Sequence, residues 1–537
     1  MANETVIETD VLVVGGGFAG AFAAVKAKEQ GVDVTLVCKG NIGRSGMSPF
    51  PHGSMAVPPE RTDVMKELME EVRVGGEYLA NRTWTERVIQ ESYARFQDMV
   101  AWGQPFLKDE KGNYVKPFEG GREQEGRLWA LEDGPQSFAK AFKNHLQKVG
   151  VRILEKIMIA DLIKQDGKIV GAIGFSRTSF DLYIFKAKAT VLCVGAGGFK
   201  PVGGWPMGDL TSDGHIMAYK AGAEITGKEF EDFHSGMTRR TGSIWLSGLS
   251  PMTNAEGQQV PGFGFGFSAD SQAHAGKAPL YRGKDEVFSN VALGLSVHTA
   301  EGVWPTDEGC GAGIPGLYAA GDSCATMVVG AAYSMGGTGT CNASVTGARA
   351  GTAAAKYAQQ IGKPAVNEEE LSAVKEAVLA PMKRKGGFSP GWVTQLLKNA
   401  TMPYQVLRIK HGDRLQAALT QIEFMRDQLC PKLYARDPHE LRLAHETKHM
   451  VINAEMRMRA SLFRTESRGM HYREDYPRRV DPDWLAWVMI KEVNGKMTLS
   501  KKPIPKEWWP DLKLPYEKRY PSATMSYIKK YPSAVEA

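Results

Sequence analysis

Residues Asp10–Gly20 read DVLVVGGGFAG, and this stretch decides the fold. Asp10–Val14 is a short apolar run bounded by polar residues, which suits a strand buried on both faces of a parallel sheet. Gly15–Gly20 follows at once with the G-x-G-x-x-G spacing. The alanine- and lysine-rich segment Ala21–Gln30 then predicts a helix, and Val32–Cys38 a second strand. Together they make one βαβ unit of about 30 residues. In a dinucleotide-binding reading Gly15 allows the tight turn, Gly17 lets the backbone approach a pyrophosphate, and Gly20 lets helix and strand pack closely. Phe18 and Ala19 complete the motif. Free N–H groups and a positive dipole end at the helix N-terminus face the phosphates.

Composition bounds the rest. A length of 537 residues corresponds to three or four domain-sized units. A content of 43% hydrophobic and 23% charged residues excludes a disordered, coiled-coil or collagen-like chain. Glycine is in excess at 59 residues, as expected of many tight turns and close backbone approaches. Six cysteines without a CxxC pair exclude a disulfide scaffold and a resident zinc or iron–sulfur motif, and point to a reducing, cytoplasmic compartment. The first ten residues, MANETVIETD, carry acids where a secretory leader carries bases, and no run is long and apolar enough for a membrane span. Net charge is +6, of which +4 falls on residues 501–537, so nucleic-acid binding has little support.

Two more glycine-rich blocks lie downstream. Ala189–Gly198 (ATVLCVGAGG) reads as a strand ending in glycines, Gly195 among them. Gly313–Asp322 (GIPGLYAAGD) reads as a turn, a short strand and Gly321-Asp322. Gly330–Gly339 (GAAYSMGGTG) then leads into an alanine-rich helix through Val345–Tyr357. Glycine-tipped strands so far apart in sequence predict one sheet around an elongated cofactor, with other domains inserted.

The chain resembles the flavoproteins of the fumarate reductase, succinate dehydrogenase, L-aspartate oxidase and adenylylsulfate reductase group. The resemblance rests on DVLVVGGGFAG, CKGNIGRSG (Cys38–Gly46), VLCVGAGG, SDGHIMAYKAGAEI (from Ser212), IPGLYAAGD and RTESRGMHYREDYP (Arg464–Pro477), in family order across most of the chain. It implies an α/β fold: a discontinuous Rossmann-like FAD-binding domain (1–226 and 296–362), a shortened α+β capping domain (227–295), a helical C-terminal domain (363–480) and a basic extended tail (481–537). FAD is the implied cofactor.

The resemblance also assigns residues. Asp322 stands where the family's Glu holds the ribitol, the alternative being a cap for the next helix. Cys38-Lys39 matches a Ser-Lys at the second strand end, where Lys39 either reaches a phosphate or is solvated. Arg44, Ser45 and Gly46 line the same segment, and Gly46 replaces the histidine that carries covalent flavin in membrane-bound relatives. The flavin is therefore expected without a covalent link. His52 reads as a surface-loop histidine. Asp213 and Ser334 complete the implied cofactor contacts.

For the substrate pocket, His234 (in FEDFH) and His298 (in VHT) match the family's histidines. The clamp arginine is missing: Tyr333 and Ser334 stand in the corresponding stretch. Among Arg239, Arg240 and Arg282 in the capping domain, spacing selects no proton donor; Arg282 is carried as a candidate with Tyr333. A hydroxyl does not reproduce a guanidinium fork on a carboxylate, so succinate and fumarate are disfavoured. The aromatics Trp205, Trp245, Phe263, Phe265, Phe267, Tyr281 and Trp304 suggest a larger, less charged substrate. FGFGF (Phe263–Phe267) reads either as a lid over a flat ligand or as a strand packed on the core.

Residues Glu368–Ala460 turn helical, with Leu415–Leu429 and Leu441–Met458 as examples. Arg468, His471 and Arg473 either approach the flavin site, as the family implies, or join a buried charge network with Glu466 and Asp475. The tail repeats KRYPSA (Lys518–Ala523) as KKYPSA (Lys529–Ala534). It reads either as solvated or as a dock for an acidic, ferredoxin-like iron–sulfur partner; an oligomer is also open. Three functions follow: an FAD-dependent oxidoreductase acting on a C–C bond of a non-dicarboxylate, a protein like the α chain of adenylylsulfate reductase, or a flavin electron carrier within a larger redox complex.

Overall fold

The computed structural model describes residues 3–49, 53–114, 137–199, 209–232, 299–333 and 335–520, with short strand segments between 118 and 130 and between 235 and 296. The opening βαβ unit forms as its pattern predicts. β1 (Glu4–Val14) leads through the glycine turn into α1 (Phe18–Lys28) and then β2 (Val34–Cys38). β1 starts six residues before the apolar run, because Glu4–Thr9 pair in register with Leu182–Ala187. Backbone pairing extends the strand past the point where side-chain patterning marks it.

A seven-stranded sheet holds the core. Its order is β3 (Arg152–Glu155), β2, β1, β6 (Leu182–Leu192), β5 (Lys168–Ser176) and β4 (Ile157–Gln165), with β9 (Leu317–Ala319) also on β6. β1, β2, β3, β6 and β9 run parallel, and β5 lies antiparallel between β6 and β4. The three glycine-tipped strands β1, β6 and β9 are thus adjacent. Their tips leave one edge of the sheet together, where an open α/β sheet binds ligands. α1 and α3 (Thr338–Gln360) cover one face. Gly347 and Gly351 let them approach, since a Cβ there would meet the Ala19 and Ala23 carbonyl oxygens at 2.4 and 2.1 Å.

The capping region contributes an antiparallel sheet from Ser235–Met237, Asp285–Val291, Leu280–Arg282, Met252–Thr253 and Gln259–Val260. The C-terminal helices α4 (Glu368–Lys383), α5 (Pro390–Thr401), α6 (Gly412–Phe424) and α7 (Pro438–Phe463) follow. They bury their own apolar cluster, with Leu397, Leu415, Ile422, Met450 and Ala454 at its centre.

The expected extended tail from residue 481 is corrected by the structure. β10 (Ala486–Val493) and β11 (Lys496–Pro503) form a hairpin, and β10 pairs with β7 (Ile225–Thr226), which in turn pairs with β8 (Gly302–Val303). Ala486–Ile490 are buried, so this apolar run had to find a sheet and a core. Tyr520 is 2% exposed, with its hydroxyl on Arg468 and Asp481. The chain is anchored through that residue. Among the described residues no helix is long and apolar enough to cross a membrane, and no group of His, Cys, Asp and Glu could hold a metal ion.

Candidate flavin-binding site

The site forms where β1, β6 and β9 end. Gly15 has φ +116°, and a Cβ there would lie 2.1 Å from the Cys193 carbonyl oxygen at the β6 tip. At Gly20 a Cβ would lie 1.8 Å from the Gly15 carbonyl oxygen, so only hydrogen lets α1 pack against its own entry turn. At Gly17, the N-cap, the nearest atom is Ser48 Oγ at 2.7 Å. That hydroxyl accepts the Phe18 N–H at 3.1 Å. The N–H groups of Ala19 and Gly20 have no acceptor among the described residues. Unpaired donors at a helix N-terminus fit a phosphate, and the cradle therefore fits a dinucleotide.

The other two tips are tied together. Gly195 (φ +83°) follows β6, and Gly321 (φ +63°) follows β9. Ser323 Oγ accepts the Val194 N–H at 2.9 Å and donates to the Gly195 carbonyl at 3.2 Å. Asp322 lies in the short Gly321–Ser323 turn, and the next long helix is capped at Gly337. Asp322 is therefore not that helix's cap, which removes the alternative role.

Beneath the tips lies a buried ionic cluster. Lys228 uses all three donors: to Glu301 Oε2 (2.8 Å), Asn453 Oδ1 (2.8 Å) and His215 Nδ1 (3.0 Å). His215 then donates from Nε2 to the Asp322 carbonyl at 3.1 Å. Glu301 Oε1 accepts the Gly197 N–H, and Arg457 pairs with Glu231 and Glu301. Burial, then the Lys228 ammonium, depress the His215 pKa to about 3, so its ring is neutral. Burial pulls Lys228 down to about 8 against the pull of Glu301. Glu301 sits at about 2, since Lys228 and Arg457 outweigh its own burial. The cluster thus fixes the Gly197 and Asp322 backbones from below.

Lys39 is neither solvated nor aimed at a phosphate. Its Nζ contacts Asp213 Oδ2 and Glu446 Oε1 at 2.8 Å each and Thr211 Oγ1 at 3.0 Å. Burial works against its charge, but Asp213 and Glu446 outweigh it and hold the pKa above the ordinary lysine value. Asp213, the first residue of α2 (Asp213–Ala221), accepts from Thr211 and His449 on its other oxygen. Burial would raise its pKa, yet Lys39 and His449 hold it far below the carboxylate range. Cys38 is buried, with Sγ 3.3 Å from the Gly40 carbonyl. Ser45 Oγ donates to the Asn41 carbonyl at 3.3 Å, Gly46 has φ +65°, and Arg44 is exposed.

The amino-terminal region 10–243 matches the family model described as FAD binding domain, and residues 398–520 match that of the fumarate reductase flavoprotein C-terminus. A chain of the fumarate reductase (CoM/CoB) of Methanothermobacter marburgensis is 27% identical, over 91% of this chain and 98% of its own. The Mycobacterium smegmatis Sdh1 complex superposes with a TM-score of 0.80 at 23% identity, covering 93% of this chain and 95% of that one. Adenylylsulfate reductase from Archaeoglobus fulgidus gives 0.79 at 22%, covering 94% and 97%. Both matched regions stand in this chain in that order, and the relatives it resembles are flavoproteins of fumarate reductases, succinate dehydrogenases and L-aspartate oxidases. The chain is an FAD-dependent oxidoreductase.

Of the substrate-side residues expected from this family, Tyr333 is buried and its hydroxyl accepts the Gly339 N–H at 3.1 Å, at the start of α3. His234, His298, Ser334, His52, Trp205, Trp245 and Phe263–Phe267 lie outside the described residues. Arg282 ends a described strand, but its side chain is outside them too. Sequence reasoning missed Arg408. It is 1% exposed, with Nη1 3.9 Å from Met470 Sδ, and the Met470 N–H donates to the Ala331 carbonyl at 2.9 Å. A buried guanidinium thus stands next to the segment that packs on the Gly330–Gly336 stretch. No spacing signal links Arg408 to that stretch.

The family's closing segment is a dense ionic layer. Arg468 pairs with Glu466 and Asp481, Arg464 with Glu229 and Glu466, Arg479 with Glu77, and Arg473 with Asp475. The expected pairing with Glu466 and Asp475 is present. Glu77 Oε2 also accepts the Gly469 N–H, where φ is +53° and a Cβ would meet the Ala331 carbonyl oxygen at 2.4 Å. The layer thereby presses Gly469 and Met470 onto Ala331.

Proposed function

We propose that this flavoprotein holds FAD without a covalent bond and moves hydride to or from a carbon–carbon bond of a substrate that lacks two carboxylates. Bound FAD supplies the hydride chemistry at its N5 atom. The residues do the rest. The α1 N-terminus and the Gly195 and Gly321 turns hold the cofactor, and Ser323 with the Lys228–Glu301–His215 cluster keeps those turns rigid. Tyr333 is the candidate proton carrier. It is buried, with its hydroxyl at the N-terminus of α3. His234, His298 and Arg282 are carried as substrate contacts on the family resemblance.

The observation behind the substrate class is the occupant of the clamp position: Tyr333 and Ser334 stand where dicarboxylate enzymes place an arginine. The name of the Methanothermobacter marburgensis relative, a fumarate reductase, supports the reaction class. We carry over that class and not the diacid. Electrons are proposed to come from a separate iron–sulfur protein, since this chain has no cluster motif. The dock proposed for it is the basic tail beyond Tyr520, because residues up to Tyr520 are occupied in anchoring the chain. A truncation after Tyr520 is expected to keep its flavin and lose iron–sulfur partner capture from the native host; equal capture refutes the dock.

The substrate reading is tested by anaerobic photoreduction of the purified protein and reoxidation with a panel. A monocarboxylic enoate or an enone is expected to restore the yellow spectrum while fumarate does not. Reoxidation by fumarate at a comparable rate overturns it. Reoxidation by adenylylsulfate alone would assign sulfur chemistry, and by a ferredoxin alone the electron-carrier role.

A further inference from the structure

On the side of the molecule where the helical domain meets the sheet, β4, α2, α4, the turns after α6, and α7 leave a cleft of about 260 Å³. Its walls divide by chemistry. Ala160, Val378, Val451 and Ile452 give an apolar side, while Lys220, Arg426 and Lys448 bring three cations against the one carboxylate of Asp161.

Those cations are not equally engaged. Lys220 pairs with Asp161 at 3.0 Å, and Arg426 with Asp427 at 2.7 Å and with Glu455. Lys448 forms no salt bridge among the described residues. Burial lowers its pKa and the neighbouring Arg384 and Lys220 add to that, while Cys430 and Asp161, itself paired with Lys220, oppose it without reversing it. Both histidines of the cleft are already bonded elsewhere. His445 bonds the Val378 carbonyl at 2.9 Å, and burial, then Lys448, hold its pKa at about 3; His449 is bonded to Asp213 at 2.8 Å. A half-buried ammonium with no carboxylate in direct contact costs free energy that a bound anion recovers.

We propose that this cleft is a second ligand site, separate from the flavin cradle, for a small oxyanion of two or more negative charges, held by Lys448 with Lys220 and Arg426 at the rim. Its volume accommodates a compact phosphorylated or polycarboxylate metabolite, with the carbon skeleton against Val378, Val451 and Ile452. Single monovalent anions such as chloride do not span three cations.

The test is calorimetric titration of the FAD-loaded protein with inorganic pyrophosphate and, separately, with citrate, each against sodium chloride of matched ionic strength. One saturable site is expected for at least one of the two probes, with the arms distinguishing a phosphate from a carboxylate ligand. Lys448→Gln is expected to weaken it about tenfold or more, Lys220→Gln at the exposed rim less, and Lys448→Arg to retain it. An unchanged flavin spectrum in each variant reports that the fold is intact. Absence of saturable binding by both probes, or equal binding in Lys448→Gln and the parent, overturns the proposal.

Discussion

The nucleotide cradle and the closing segment from Arg464 to Arg473 both lie at the core of the molecule, yet different chemistry holds each. At the cradle, backbone meets backbone. Gly15 and Gly20 bring main-chain groups together that any side chain would separate, and at Gly195 and Gly321 a Cβ would crowd the Leu210 and Ala19 side chains. In the closing segment, arginines meet carboxylates: Arg464, Arg468, Glu466 and Glu229 are fully buried and mutually paired. Close packing tolerates almost no added volume. A buried ionic layer tolerates volume change but not an unpaired charge. The first arrangement leaves N–H donors open for a ligand, and the second uses up its polar groups internally to press Met470 onto Ala331.

This contrast breaks at its strongest point if Gly20→Ala retains flavin. The new methyl would lie 1.8 Å from the Gly15 carbonyl oxygen, so β1 and α1 must part at the phosphate end. Loss of bound FAD, read as a colourless preparation, and destabilisation beyond about 3 kcal/mol by denaturant titration are expected. Next in size is Glu466→Ala, which removes the carboxylate shared by Arg464 and Arg468 and leaves each buried guanidinium with a single carboxylate partner. A loss of about 3–5 kcal/mol is expected. A mild loss would show that the layer is hydrated and not dry.

The smallest effect sharpens the comparison through pH. Lys228 has its pKa lowered from 10.5 to about 8 by burial. Between those values the unfolded chain holds a proton that the folded one has lost, so this residue makes stability rise as pH rises through that window. Lys228→Met removes the term. The parent should therefore gain on the variant from pH 8 towards pH 10.5, at a slope of order 1 kcal/mol per pH unit or less. Denaturant midpoints of both proteins across the window measure it, and parallel curves would mean that Lys228 stays charged.

Legibility followed sequence distance. The opening βαβ unit, the helix over Val345–Tyr357 and the α7 region were readable because their periodicities are local. The hairpin at 486–503 was hidden under a basic composition, since alternate residues of β11 face solvent and their charge dominates the count. At the site, the glycine tips were readable, whereas Lys39 was misassigned. Its partners Asp213 and Glu446 lie in α2 and α7, and the Asp213–His449 bond spans 236 residues. No spacing rule reaches that far. Ser323, beside Asp322, joins two strand tips through a hydroxyl whose turn position is itself visible in the sequence.

The glycine-tipped strands, the phosphate-binding turn and the missing clamp arginine were properties of the chain itself, because each depends on residue types within one short segment. Which charges neutralise one another was settled only when the chain closed on itself. A carboxylate acquires its pKa from what surrounds it in space, and Lys228, Lys39 and Arg408 have surroundings drawn from every part of the sequence.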